Sequence, residues 1–264
     1  MRPFFSIITV TKNSEKKIEK TIKSVKYQNY EDYQHIVIDG NSSDKTYSII
    51  KNFNSKKILS KQIIDRSLYE GLNNALNFAT GKYVIFLHAG DYFFDFKILN
   101  NLRKILAQDV DILAGGCIFY KDHSIKRIWR NADNLNFNNA YKAPHTSVVI
   151  KLDTLKKIGY FDTNYLIASD TESILRLLKK PSIKILIYNN YICFMELGGL
   201  STNLKFMFLK IKEDLRIYLK YYKSKFLVKY FLKILSKIPQ FFISDEENKI
   251  LKKNFDEILI KLDK

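Results

Sequence analysis

At 264 residues and 46% apolar side chains, the chain is long enough to bury a sizeable core and too apolar for general disorder. Its two cysteines, Cys117 and Cys193, lie far apart, match no metal-ligand spacing and suit a reducing cytoplasm. A formal net charge of +17 points to an anionic partner, for which nucleic acid, anionic lipid and a phosphorylated substrate all qualify, or to nothing beyond a lysine-rich proteome.

Residues 4–10 are a nearly continuous apolar run of the kind parallel sheets bury on both faces, and they predict a first strand. Lys12, Asn13 and Ser14 break the run before a secretory signal can form, and no later apolar stretch reaches spanning length. Asn13 or Ser14 is placed to cap a helix whose apolar positions Ile18, Ile22 and Val25 recur at helical spacing. Residues 33–38 read as a second strand that delivers Asp39 to the same sheet edge, ahead of Gly40, Asn41, Ser42, Ser43 and Asp44. Such a β-α-β opening begins a doubly wound sheet, whose ligands bind at the carboxyl ends of the strands. There Asp39 can accept hydrogen bonds from ribose hydroxyls or a base edge, or it can close an Asx turn before Gly40, a task Ser42 and Ser43 could take over. Neither a glycine-rich dinucleotide fingerprint nor a P-loop is present, so a bound diphosphate has to be held by a metal, by side chains or by both.

A helix over 46–53 and a short third strand at 62–64 come next. Residues 67–79 are helical by the spacing of Leu72, Leu76 and Ala79, with the amides of Asn73, Asn74 and Asn77 either solvated or lining a cleft. After Gly81, the five residues 83–87 are too short for a helix and rich in strand formers, and they end in His88, Ala89, Gly90 and Asp91. This buried strand brings a second carboxylate, Asp91, to the rim, where it either serves chemistry or caps a turn. A helix over 97–107 follows, then two strands at 111–120 and 124–129 able to pair as a hairpin. An asparagine-rich loop over 131–139 is long enough to cover a site, and a strand at 148–151 and a short helix stopping at Gly159 complete the middle of the chain.

Ser169, with Glu172 three residues on, predicts a capping box at the start of a helix carrying Ile174, Leu175 and Leu178. Asp170 then sits in the first turn, where the helix dipole favours an acid by about 0.3–1 kcal/mol without any function, or where a rigidly held carboxylate can act as general base. Over 205–237 ten Lys/Arg face only two acids, Glu213 and Asp214. Leu204, Phe208, Ile211, Leu215, Leu219, Tyr222 and Phe226 form a helical stripe there. Such a segment either lies in a membrane interface with its lysines at lipid phosphates or packs on the core, and the mixture of aromatic and cationic residues favours the interface. Ser244 caps a last helix ending near Leu262.

In their order and spacing these pieces resemble the inverting, nucleotide-sugar-dependent glycosyltransferases of the GT-A group, family 2. The resemblance is carried by Phe5-Ser6-Ile7-Ile8-Thr9-Val10-Thr11-Lys12-Asn13, Val37-Ile38-Asp39-Gly40-Asn41-Ser42-Ser43-Asp44-Lys45-Thr46, Glu70-Gly71-Leu72-Asn73-Asn74-Ala75-Leu76-Asn77 and Phe86-Leu87-His88-Ala89-Gly90-Asp91. Pro144-His145-Thr146, Ile158-Gly159-Tyr160-Phe161-Asp162 and Ala168-Ser169-Asp170 continue it, so that it covers roughly residues 4–202. It implies an α/β fold of GT-A type, a mostly parallel twisted sheet with helices on both faces. A catalytic domain over 1–203 would be followed by a basic helical extension over 204–264. It further implies that Thr9, Thr11 and Asp39 hold the nucleoside, with Asn41 and Asn74 also at the nucleotide. Asp91 would stand in the position of the metal-binding acid, carrying Mg²⁺ or Mn²⁺, and Asp170 in that of the catalytic base. His88 and Gly90 occupy places where many relatives carry acids, and Asn74 replaces a frequent aspartate. The implied partners are a nucleoside-diphosphate sugar and a glycan or lipid-linked acceptor of cell-surface glycan synthesis. The implied location is the cytoplasm, at the inner face of the membrane through residues 204–240, and nucleic acid is not an expected partner. The rival reading is a degenerate transferase that binds sugar nucleotides without turning them over.

Overall fold

The structure, a computed structural model, describes residues 2–53, 55–130, 134–199 and 206–263. Four strands, β1 (Phe5–Thr11), β2 (Tyr33–Asp39), β3 (Ile58–Gln62) and β4 (Tyr83–Phe86), run parallel in the order β3-β2-β1-β4. They are joined by helices α1 (Ile18–Lys26), α2 (Thr46–Asn52) and α3 (Leu68–Asn77). Because successive side chains of a strand point to opposite faces, β2 needs cover on both sides. Ile36 and Ile38 pack with Leu72, Ala75 and Leu76 of α3, while Val37 packs with Ile18 and Ile22 of α1 and Ile50 of α2. Gly71 lets α3 come this close: a Cβ there would lie 2.7 Å from Val10 Cγ1.

The sheet continues through β8 (Val148–Lys151), β6 (Ile112–Lys121), β9 (Ile185–Glu196) and the short β5 (Tyr92–Phe93), with β7 (Ser124–Trp129) hairpinned onto β6. Strands β5, β7 and β8 run against the other six, so the nine-stranded sheet is mostly parallel. Between them stand α4 (Ile98–Ile105), α5 (Leu152–Ile158) and α6 (Ser169–Leu178). Antiparallel pairing of β8 with β4 puts the start of β8, and the turn His145–Ser147 before it, at the carboxyl rim of the parallel strands. The end of β9 reaches the same rim, where Glu196 meets Asp91.

Several local expectations shift. The third strand lies upstream of 62–64, because His35 to Asp39 pair with Ile58 to Gln62 and leave Ile64 79% exposed. Asn13 does not cap α1; it takes a left-handed φ of 49°, and its side-chain oxygen accepts from the Ser43 amide. The sequence assigns no element to 185–196, yet β9 is the longest strand, its apolar run interrupted where the register with β6 slips beside Gly116. The last third of the supposed loop over 131–139 begins a 3₁₀ helix, Phe137–Lys142, and residues 131–133 lie outside the described residues, as do Leu204 and the 203/204 boundary.

The basic segment forms α7 (Met207–Tyr222) and α8 (Phe226–Leu235), followed by a 3₁₀ turn, Ile238–Phe241, and by α9 (Asp245–Leu262), which Ser244 caps as expected. Of the described residues in the apolar stripe, the protein buries only Tyr222. Glu213, Asp214, Ile217, Tyr218 and Tyr222 face the core, whereas Phe208 is 78% and Leu219 53% exposed. The reason is local: Ile217, Tyr218 and Tyr222 complete the apolar cluster under α6, and both acids find buried partners.

Candidate active site

Strand register gathers one set of side chains at the carboxyl rim. Thr11 lies opposite Asp39, and Asp39 opposite Gln62. The Asp39 carboxylate is fully buried and already accepts from the Ser42 amide at 2.9 Å, from the Ser42 hydroxyl and from the Gln62 side-chain amide at 2.8 Å. The Asx-turn reading therefore describes its contacts. The Thr9 hydroxyl donates to the Leu87 carbonyl at 2.7 Å and meets His35 Nε2 at 2.9 Å, so its side-chain contacts lie inside the sheet. Burial keeps that histidine neutral, drawing it down to about 3. Thr11, two residues on, keeps a buried hydroxyl without a partner, Asn41 stands exposed on the loop with a φ of 58°, and Asn74 is half-buried on α3. Asn73, by contrast, is fully engaged, clamping the backbone N–H and C=O of Phe161 at 3.0 and 2.9 Å.

Asp65 is a carboxylate the sequence reading passed over. It is wedged between Gly40 and Gly71, where a Cβ would sit 2.8 and 2.6 Å from its oxygens, and its Oδ2 is buried without a partner. Burial raises its carboxyl above the usual range, against the pull of Lys12 and with repulsion from Glu70 and Asp39. Two glycines spaced to admit one side chain are the signal that could have found it.

Asp91 is 3% exposed. Its two oxygens accept from the amides of Glu196, at 3.0 Å, and His88, at 3.3 Å. Burial, aided by Glu196 and opposed by those amides and by Lys17, pushes it up to about 7. Gly90, at a φ of 97°, carries Glu196 Oε2 where a side chain would begin, and Glu196 is neutralised by Lys17 at 2.7 Å. Divalent ions of the Mg²⁺ type take ionised oxygen donors presented to the cleft. A buried carboxyl whose two oxygens already accept from backbone amides, next to a glycine, does not fit that requirement. Among the described residues no cluster of three or more His, Cys, Asp or Glu is arranged to hold a metal.

Asp170 is half-buried in the first turn of α6. The expected capping box does not form: Ser169 Oγ is buried without a partner, and the Glu172 carboxylate binds Arg176, Lys220 and Tyr221 instead. What holds the turn comes from elsewhere in the chain. Glu213 of α7 accepts from the amides of Leu166, Ile167 and Ala168 at 2.8, 2.9 and 3.0 Å. Tyr69 of α3 donates to the Ile167 carbonyl at 2.8 Å and to Asp170 Oδ1 at 3.2 Å. Burial on its own would raise the Asp170 carboxyl, but Lys210, His145, the Thr171 amide and Lys233 outweigh it and hold the group below the ordinary range.

His145 stacks on Phe86 with ring centroids 4.6 Å apart and lies 6.2 Å from His88, and each ring has one buried nitrogen without a partner. Burial, with the charge of His145 behind it, draws His88 down to about 4. The rim thus joins Asp39, Asp65 and Thr11 over β2 and β1 with His88, His145 and Asp170 over β4, β8 and α6. Shallow surface cavities beside Phe137 and Leu178, and beside Phe4 and Asp109, contain none of these residues.

Residues 6–162 match the family model described as glycosyl transferase family 2. A PGL/p-HBAD biosynthesis glycosyltransferase of Mycobacterium bovis is 23% identical over 211 residues, covering 76% of this chain and 80% of that one. A GalNAc(5)-diNAcBac-PP-undecaprenol beta-1,3-glucosyltransferase of Campylobacter jejuni is 30% identical over 129 residues, 47% of this chain and 41% of its own. In three dimensions the chain is similar to S. aureus TarS 1-349 in complex with UDP-GlcNAc, with a TM-score of 0.69 at 17% identity over 98% of this chain and 81% of that one. It is also similar to the mannosyltransferase PcManGT from Pyrobaculum calidifontis in complex with GDP-Man and Mn²⁺, with a TM-score of 0.65 at 16% identity over 98% and 75%.

Proposed function

The chain belongs to glycosyl transferase family 2, and from that premise we propose that it moves a sugar from a nucleoside diphosphate to an acceptor hydroxyl with inversion at the anomeric carbon, in the synthesis of a cell-surface glycan. The observation that carries this reading is Asp170, a carboxylate held ionised at the rim by Lys210, Lys233 and a backbone amide, and fixed by Tyr69. A general base needs that combination of charge and fixed position. In this reading Asp170 takes the proton of the acceptor hydroxyl as its oxygen attacks the anomeric carbon from the face opposite the diphosphate. The C–O bond to the diphosphate breaks and the configuration inverts. Because Asp170 is a weak base, close positioning of the acceptor supplies much of the rate.

Asp39, Asp65 and Thr11 would meet the nucleoside, with Asn41 and Asn74 on the flanking loop and helix. The unpartnered nitrogens of His88 and His145 support a place for the sugar between that end and Asp170. Mg²⁺ or Mn²⁺ at Asp91 enters no step, since the contacts of Asp91 do not suit it.

We further propose that α7, α8 and the turn after them rest on an anionic membrane. Phe208, Leu227, Val228, Phe231, Phe241 and Phe242 are each more than half exposed and alternate with lysines, the composition that favours the interfacial zone. No helix among the described residues is long and apolar enough to cross a membrane.

The test is Asp170→Asn. Sugar-nucleotide binding should persist in the purified variant while transfer falls by about 10²–10⁴, the usual worth of a general base. Full turnover in the variant, or retention of anomeric configuration in the product by NMR, would overturn the reading.

A further inference from the structure

Beyond Asp170 the rim leads into a group of cations with too few acids to neutralise it. Lys233 of α8 is buried and pairs with Asp214 at 2.7 Å, while Lys210 stands 3.8 Å from the same carboxylate. Lys237, just past α8, is half-buried and among the described residues has no acid within ion-pair distance; it feels Lys233, Lys210 and Arg127, with only the more distant Asp214 opposing them. Arg127 of β7 lies with its guanidinium 3.8 Å over the Phe119 ring, and its Nε is buried without a partner. Gln240, on the turn that packs against β7, likewise keeps a buried Oε1 without a partner. Burial, with the neighbouring Lys233 and Lys210, draws Lys237 down to about 8, which is what an unneutralised cation in a closed setting does.

Among the described residues Lys210 and Lys233 flank Asp214 and act on Asp170, and Lys237 and Arg127 lie beside them, so four cations share two acids in a partly dry place, an excess of about two positive charges that favours a bound anion. A planar guanidinium with flanking ammonium groups matches phosphate oxygens. Lys210 and Lys233 act on Asp170, while Arg127 lies 5.8 Å from the ring of Phe241, which with Leu235, Ile238 and Phe242 is exposed. Few ligands need both surfaces at once.

We propose that Arg127, Lys210, Lys233 and Lys237 bind the phosphate or diphosphate of a lipid-linked acceptor, whose hydrocarbon chain leaves across α8 and the turn after it. The proposal rests on the transferase reading of Asp170 and names the acceptor class for that site. It accounts for the positive charge that Asp214 and Asp170 leave unbalanced, and it places the acceptor's phosphate on the protein side of the membrane surface.

The test compares the full chain with Arg127→Gln/Lys237→Gln, since neither residue has a carboxylate partner that the change would strand. Binding is measured on phosphatidylcholine vesicles carrying either phosphatidylglycerol or farnesyl diphosphate at matched surface charge. The wild-type protein should prefer the diphosphate-bearing vesicles, and the double variant should lose about tenfold or more on them, about 1.4 kcal/mol. On phosphatidylglycerol its loss should stay below about threefold, because two half-buried cations among many exposed lysines contribute little to general surface attraction. Equal losses on both vesicles would assign the cations to bulk lipid and overturn the proposal, as would no wild-type preference or no loss at all. If the double variant unfolds early, Lys237→Gln alone provides the same comparison. A thermal-shift series of the wild-type protein with UDP-GlcNAc and GDP-mannose reads the transferase premise separately: lack of any shift would count against the donor site, not against the cation cluster.

Discussion

Glu213 is the residue whose removal most directly tests how Asp170, the proposed base, is held. Its carboxylate is the acceptor for three successive amides, two of them, Ile167 and Ala168, buried. In Glu213→Ala water can reach the Leu166 amide, because Leu166 is 49% exposed, but the other two donors lose their partner in the interior. An unsatisfied buried amide costs about 1–3 kcal/mol, so the pair costs about 2–6 kcal/mol, reduced by the gain from no longer burying a charge. A net loss of about 3 kcal/mol follows, a large part of the 5–15 kcal/mol typical of a domain. The segment 166–168 leads directly into Asp170, and a shift of about 1 Å in a catalytic group can cost about 10² in rate. The assay is urea unfolding together with steady-state transfer, at a temperature where the variant is fully folded. Glu213→Ala should lower kcat by about 10² with the donor KM little changed, and Glu213→Gln, which keeps one acceptor oxygen, should fall between it and the wild type. A loss of stability without any change in kcat would show that Glu213 supports the fold but does not position the base, and unchanged stability would refute the hydrogen-bond argument outright.

Asp91→Asn should change the pH dependence of stability. The folded carboxyl titrates near 7 and the unfolded one near 3.9, so the folded state binds more protons in between, and wild-type stability falls as pH rises through that window, by up to about 4 kcal/mol. The asparagine variant should lack this slope; parallel urea midpoints for variant and wild type from acid to neutral pH would refute it. Gly71→Ala places a Cβ 2.6 Å from Asp65 Oδ2 and 2.7 Å from Val10 Cγ1. Overpacking of that kind costs about 1–3 kcal/mol, which should lower Tm by several degrees and weaken UDP or GDP binding in calorimetry. An unchanged Tm would mean α3 has room to move.

Much of the donor half was legible along the chain. Residues 4–10, 33–38 and 83–87 are apolar enough to be buried on both faces, and each run leads into a polar turn at the rim, where Asp39 and Asp91 were found after the second and third of them. The start of α6 was legible from Ser169 and Glu172, although the capping box that signalled it does not form. Harder to see was what each polar group would meet. Thr9 and Thr11 are identical in type and alternate position, yet one is spent on Leu87 and His35 while the other has no partner. The interruption at Asn189 and Asn190 hid β9, because a register slip breaks the alternation by which strands are recognised.

Local pattern alone determined that this chain is an α/β protein opening on parallel strands, with acids at their carboxyl ends and a basic, aromatic-rich tail. Those features depend on the preferences of neighbouring residues and on the period of burial, which a linear string records. Only the tertiary structure decided that Asp91 turns to backbone amides, that Asp65 joins Asp39, and that the two acids of the tail leave solvent. Glu213 reaches back 45 residues to the turn that carries Asp170, and Asp214 gathers Lys210 and Lys233 beside it. Hydrogen bonds and charges act over a few ångströms of space whatever the separation along the chain, and the partner each buried group finds is settled when the helices pack.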